Sequence, residues 1–177
     1  MASRKSALSD LTAQELRRML HYDPETGVFT WLVAPGSRND LIGRTAGCIC
    51  KTKNGRSYRH IRIHGKLYLA HRLAWLYVTG EWPEGLLDHE DNEGTENPWT
   101  NLRLASYSQN IGNSKRRRTN KVGLKGVVPS KTPGNYCAYV HINGATLYLG
   151  TFNCPHEAHR AYCAAARSVF GRFARAG

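Results

Sequence analysis

An α+β protein built of two small modules is the fold class this sequence predicts, on three observations. Its 177 residues, 41% of them hydrophobic, suffice for one medium domain or two small ones, but not for one large continuous core. Short stretches of strand-type alternation are joined by hairpin turns, and each set leads into a helical pattern. The charge also breaks sharply. Residues 1–113 carry a net +2, residues 114–122 a net +5 without one acid, and residues 123–177 a net +5. We therefore expect a first module over 1–113, with its functional core at about 84–113. A basic linker over 114–122 and a second module over 123–177 complete the chain.

The first module opens on a helical face of Leu8, Leu11, Leu16, Met19 and Leu20, with Ser9 or Thr12 as cap. Asp23-Pro24-Glu25-Thr26-Gly27 is a turn cluster, and Val28–Val33 is rich in strand formers. Tyr58–Ile63 alternates, His64-Gly65 turns, and Lys66–Leu69 returns as a hairpin. Helical periodicity then runs over His71–Val78 and stops at Gly80 and Pro83.

In the second module Leu124–Ser130, Tyr136–Ile142 and Thr146–Phe152 are three expected strands, turned at Pro133-Gly134-Asn135 and at Asn143-Gly144. Asn-Gly between alternating residues is a strong hairpin signal. Pro155 suits the first position of a helix with Ala158, Ala161, Tyr162, Ala165 and Val169 on one stripe. The expectation is a three-stranded antiparallel sheet packed on one helix.

A net charge of +12 points to a polyanionic partner, nucleic acid first. The run Lys115, Arg116, Arg117, Arg118 with Lys121 is a phosphate-binding strip, and Lys125 follows it. No apolar run approaches a membrane span. No apolar segment follows Arg4 and Lys5, so the protein is expected in the cytoplasm and not secreted. Five cysteines at irregular positions (48, 50, 137, 154 and 163) suggest reduced thiols.

Chemistry concentrates between Leu86 and Ile111. Asp88-His89 ends a short strand, Asn101 precedes a second strand, and Asn110 lies on the first turns of a closing helix. Adjacent strand residues point to opposite faces, but at a strand end both can serve one target. A carboxylate and an amide oxygen suit a hard cation such as Mg²⁺, which keeps most of its waters. A neutral imidazole beside such an ion is placed to deprotonate a water attacking phosphorus. His71 suits a structural role on its helix, and the four tryptophans suit packing. His60 and His64 are open between a DNA-backbone contact and ordinary exposure.

Asp88-His89, Asn101-Leu102-Arg103 and Gln109-Asn110, after Ala70–Trp75 and the Tyr22–Gly27 opening, resemble the HNH endonucleases of phage and homing-intron type over residues 20–113. The resemblance implies a ββα-metal motif with His89 as general base and Asp88 and Asn110 as ligands of one divalent ion. That ion would be Mg²⁺, with Mn²⁺ as the substitute. It also implies that Asn101 braces the loop and orients the histidine. Cys48-x-Cys50 has no second pair, so no structural zinc is expected.

Gly126-Val127, Tyr136–Val140, Leu147–Phe152 and Glu157–Tyr162 resemble the APETALA/ethylene-response DNA-binding domain over about 122–174. The resemblance implies a sheet that enters the major groove of double-stranded DNA. Alternation would turn Ala138, Val140, Leu147 and Leu149 to the helix and Tyr139, His141, Thr146 and Tyr148 to DNA. Arginines are scarce on that face, so phosphate-weighted binding is expected over bidentate base readout. Cys154 stands where a threonine would cap the helix. The whole implies an HNH-type DNA endonuclease, a monomer or weak dimer that nicks one strand per active site. A transcription regulator with an inactive nuclease module and an RNA-binding or RNA-processing protein are the alternatives.

Overall fold

The computed structural model describes residues 11–52 and 55–176. Arg4, Lys5, Leu8 and Ser9 lie outside the described residues. The fold is α+β, with several small antiparallel sheets and short helices. It divides into two compact units, Met1–Leu104 and Ala105–Gly177.

Helix α1 (Ala13–Met19) starts at Thr12, whose hydroxyl accepts the Glu15 N–H at 3.2 Å. Leu20, expected on the helix, instead turns extended and opens β1 (Leu20–Tyr22), which pairs antiparallel with β2 (Phe29–Trp31). Three antiparallel strands follow, β3 (Cys48–Lys51), β4 (Ser57–Ile63) and β5 (Lys66–Leu69), with His64 and Gly65 at positive φ in the last turn. Strand β5 runs straight into α2 (Ala70–Thr79), which Gly80 ends in the left-handed conformation at φ 87°. Leu16, Leu20, Phe29, Ile61, Ile63, Leu73 and Leu76 form the core beneath these elements. Strand β6 (Leu86–His89) pairs with β7 (Leu102–Ala105) across a loop that ends in the short turn Trp99–Asn101.

Helix α3 (Tyr107–Asn113) carries a reciprocal cap between Ser106 and Gln109. It was expected to close the first module, yet it belongs to the second unit. There β8 (Val127–Pro129), β9 (Tyr136–Ile142) and β10 (Ala145–Phe152) form an antiparallel sheet against α4 (Pro155–Phe170), and α3 packs on β9 and α4. The Asn143-Gly144 hairpin has φ values of 49° and 84°, as a two-residue turn with both residues left-handed requires. Asn120 pins the loop before β8. Its amide donates to the Leu124 and Val127 carbonyls and its oxygen accepts the Val122 and Gly123 N–H groups.

Two packing expectations fail here. Ala158 and Tyr162 are buried and Ala161 and Ala165 pack against the core as expected, but Ala166 and Phe170 complete the α4 stripe while Val169 faces out. Leu147 is 51% exposed. It pairs with Val140 on the edge strand, whereas Leu149, beside the register shift between Tyr148 and Gly150, packs against the core as expected. Cys154 makes no side-chain cap to α4. All five cysteines are free. Among the described residues no helix is long and apolar enough to cross a membrane.

Candidate active site

The end of β6 buries two polar side chains side by side, Asp88 at 5% exposure and His89 at 6%. Such burial needs compensating partners, and the β6–β7 element supplies them. Arg103, on the neighbouring strand and itself 7% exposed, donates from Nε to the Asp88 Oδ2 at 3.0 Å. Its other arm reaches the Glu90 carboxylate at 3.2 Å. The guanidinium thus spans two carboxylates and fixes the direction in which Asp88 points.

His89 is held by Asn97. An amide oxygen only accepts, so the 3.0 Å contact is a hydrogen bond from the His89 Nε2–H to the Asn97 Oδ1. That bond places the proton on Nε2 and the basic lone pair on Nδ1. Asn97 is 1% exposed and is itself pinned. Its carbonyl accepts the Tyr22 hydroxyl at 2.7 Å, and the Trp99 N–H beyond it donates to the Pro24 carbonyl at 2.8 Å.

The Tyr22–Gly27 turn presses on the same backbone. Gly27 sits at φ +72°, and a Cβ there would lie 2.1 Å from the Asn97 carbonyl carbon. Only glycine satisfies both the conformation and the contact. The remote turn is therefore structurally continuous with the imidazole: it fixes Asn97, and Asn97 fixes His89.

Asn101 does one part of what was expected of it. Its Oδ1 accepts the Asp91 N–H at 3.1 Å, and its carbonyl accepts the Glu90 N–H at 2.9 Å. It braces the loop as expected, but the contact with His89 belongs to Asn97. Sequence reasoning missed Asn97 because an asparagine in Glu-Asn-Pro looks like an ordinary turn residue. The one available signal was Pro98, which holds the residue before it extended.

Around the imidazole stand His71 and Tyr58. The His71 ring meets the His89 ring edge-on, with centroids 5.0 Å apart and planes at 85°. Tyr58 lies 5.7 Å from His71 and 6.3 Å from His89. Burial, and then the neighbouring His89, Arg72 and His60, push the His71 pKa down to about 3, so this ring is neutral. His60 bonds the Tyr58 carbonyl through Nδ1, and His64 pairs with Glu15 at 2.9 Å.

Among the described residues no group of three or more His, Cys, Asp or Glu is arranged to hold a metal ion. The donor chemistry at Asp88 is that of a hard oxygen ligand, which fits a hydrated Mg²⁺ or Mn²⁺ taking one or two protein ligands. Asn110 lies on α3 in the second unit and is half-buried.

In the second unit, cross-strand pairing places Tyr139 opposite Tyr148 and His141 opposite Thr146 on one face of the sheet. The tyrosine rings are 5.5 Å apart, and the Thr146 hydroxyl bonds the His141 Nδ1 at 2.8 Å. Lys115, Arg116, Arg117, Arg118 and Lys121 are exposed. Lys125, expected beside them on DNA, is spent internally. Its ammonium donates to the Gly112 carbonyl at 2.6 Å and the Arg175 carbonyl at 3.2 Å. It also lies over the Tyr162 ring, and burial lowers its pKa to about 8.

Residues 68–111 match a family model described as HNH endonuclease. The chain is 32% identical over 111 residues to the uncharacterized HNH endonuclease L560 of Acanthamoeba polyphaga mimivirus, covering 62% of this chain and 57% of that protein. It is also 30% identical over 100 residues to dehydration-responsive element-binding protein 1I of Oryza sativa subsp. japonica, covering 55% of this chain and 40% of that protein. The chain thus spans about half the length of the curated relatives it matches. No solved structure gives a significant match.

Proposed function

We propose that this protein is a metal-dependent DNA endonuclease of HNH type, hydrolysing one phosphodiester per active site. The observation that carries the reading is the His89 imidazole, locked by Asn97 into the tautomer that presents a basic Nδ1, beside a carboxylate aimed by Arg103. Both lie inside the segment that matches the HNH endonuclease model.

His89 takes the proton of the attacking water at Nδ1 as oxygen adds to phosphorus, and the Nε2–H bond to Asn97 steadies the imidazolium that forms. Asp88 would hold the divalent ion, with Asn110 the second ligand on the resemblance alone. When bound, such an ion neutralises charge on the scissile phosphate and on the leaving oxygen. The linker cations and the outer face of the second sheet would grip double-stranded DNA. A monomer would nick, and two events would complete a double-strand break. The likeness to phage and homing-intron enzymes supports a mobile-element role in a bacterial or phage-infected cytoplasm.

The test is cleavage of supercoiled and linear DNA by the purified full chain with Mg²⁺ or Mn²⁺. His89→Ala is expected to lower the nicking rate by at least about 10³-fold while leaving DNA affinity within a factor of two to three. Near-normal cutting by that variant would remove His89 as the base.

A second reading is favoured by the similarity to the dehydration-responsive element-binding protein: a DNA-binding regulator that does not cut. Binding without nicking under either metal would establish it, and preference for structured RNA over duplex DNA would overturn both readings.

The linker makes its own prediction. Arg116, Arg117 and Arg118 changed together to Ala should weaken DNA binding regardless of sequence. The slope of log affinity against log salt should flatten by about 0.9 for each phosphate that is no longer neutralised. Lys125→Met, by contrast, should leave that slope unchanged and lower the stability of the second unit, because its ammonium serves two backbone carbonyls. A flattened slope for Lys125→Met would return this residue to the DNA interface.

A further inference from the structure

His71 takes no part in the reaction outlined above, yet its ring is in direct contact with the proposed base. It is the second residue of α2, and the neighbouring Ala70, Leu73 and Ala74 are fully buried, so its backbone is set by the core. It is 7% exposed, and its Nδ1 is buried without a hydrogen-bond partner. An unpaired buried nitrogen costs about 1–3 kcal/mol. A position chosen for stability alone would carry phenylalanine or leucine, and no hydrogen bond within the protein accounts for the buried Nδ1.

What the ring does have is the edge contact. The hydrogen bond from Nε2 to Asn97 constrains one atom of the His89 imidazole, and not by itself the plane of the ring. The contact across the ring at 5.0 Å and 85° bears on that plane. Tyr58 closes the remaining side against both rings. It is pressed there by the loop, since a Cβ on Gly94 would lie 2.6 Å from two Tyr58 ring carbons. Burial also disfavours charge on His71, so the contact sets no like charge against the imidazolium that His89 becomes.

We propose that His71 is a positioning residue for the general base, its ring edge holding the plane of the His89 imidazole while Asn97 holds its tautomer. The inference rests on the nuclease reading for its kinetic consequence, but not for its structural one. The test compares His71→Ala with His71→Phe in the full chain with Mg²⁺, after thermal melts show that both fold.

Alanine removes the edge. It should lower kcat for nicking by roughly 10- to 100-fold, the range in which misplacement of a reacting group falls, with KM for DNA unchanged. Phenylalanine restores an aromatic edge and should bring kcat back to within about threefold of wild type. In ¹⁵N-histidine spectra the His89 Nε2–H signal should persist in the phenylalanine variant and broaden in the alanine one.

Wild-type kcat and an unchanged His89 signal in folded His71→Ala would overturn the proposal. So would a phenylalanine variant as impaired as the alanine one, because the nitrogen and not the edge would then be required. If the wild-type protein cleaves nothing, the nuclease reading fails, and the spectra alone still decide the role of His71.

Discussion

Gly27→Ala is expected to destabilise the first unit by about 3–5 kcal/mol, although residue 27 lies far from His89 in sequence. Two costs combine. An L-residue at φ +72° is strained by roughly 1–2 kcal/mol. The added Cβ would also stand 2.1 Å from the Asn97 carbonyl carbon and 2.3 Å from the Pro98 nitrogen, backbone atoms that cannot rotate away. Relief requires either the turn or the Asn97 segment to move. The Tyr22 hydroxyl bond to Asn97 and the Trp99 bond to Pro24 tie the two together, so both would shift. At roughly 4–8 °C per kcal/mol for a domain of about 100 residues, the melting temperature should drop by more than about 10 °C. Nicking by the surviving folded fraction should fall with it.

Gly36→Ala is the control. Gly36 has nearly the same φ, +66°, with nothing within 4 Å of its would-be Cβ, so it isolates the conformational cost. Equal losses for the two variants, measured by thermal melts, would show that the packing of Gly27 against Asn97 contributes nothing.

How much of this was legible in the sequence depended on the range of the interaction that decides each element. Short-range signals were sufficient by themselves. Asn143-Gly144, Pro155 and Gly80 fix their turns and termini through their own dihedral limits, and Tyr136–Ile142 is the strand expected from its alternation. Strand β1 was invisible, because Leu16, Met19 and Leu20 continue a helical face. Only pairing with Trp31, a contact the periodicity does not encode, draws Leu20 out of the helix. The place of α3 in the second unit follows from packing on α4 and β9, which a boundary drawn by charge could not reveal.

The candidate site shows the same split. Residue type and pattern put Asp88 and His89 together at a strand end and Asn101 before the next strand, and the structure places them there. What anchors them was not legible in that way: Arg103 could be named as part of a pattern, but its grip on Asp88 depends on the β6–β7 pairing. Lys125 misled for the opposite reason. A lysine beside a basic run looks like a phosphate contact until the fold presents two carbonyls to it.

Asn97→Ala is expected to abolish most cleavage while sparing DNA binding. Removing the amide leaves the His89 Nε2–H buried without its acceptor, a penalty of about 1–3 kcal/mol, which the first unit can bear if its stability is ordinary. The catalytic loss should be larger than that penalty alone. Once Nε2 has lost this acceptor, the bond that keeps the proton there is gone and the proton can reside on Nδ1, the nitrogen that takes the proton of water in the proposed reaction. The bond that would steady the imidazolium as it forms is lost as well. Loss of the group that sets a catalytic histidine's tautomer has cost about 10⁴-fold in a serine protease, and a fall of at least about 10²-fold is the expectation here.

Asn97→Asp should lose less, because a carboxylate oxygen can still accept the Nε2–H. Asn101→Ala should act differently again. It releases the Asp91 N–H and loosens the loop without touching the imidazole, so it should lower stability more than it lowers the rate of the folded enzyme. Single-turnover nicking rates, DNA affinities and thermal melts for the three variants separate these roles. If Asn97→Ala cut within a factor of three of wild type while Asn101→Ala did not, the histidine would be governed through the loop, and the short polar contact between His89 and Asn97 would be packing without consequence for the chemistry.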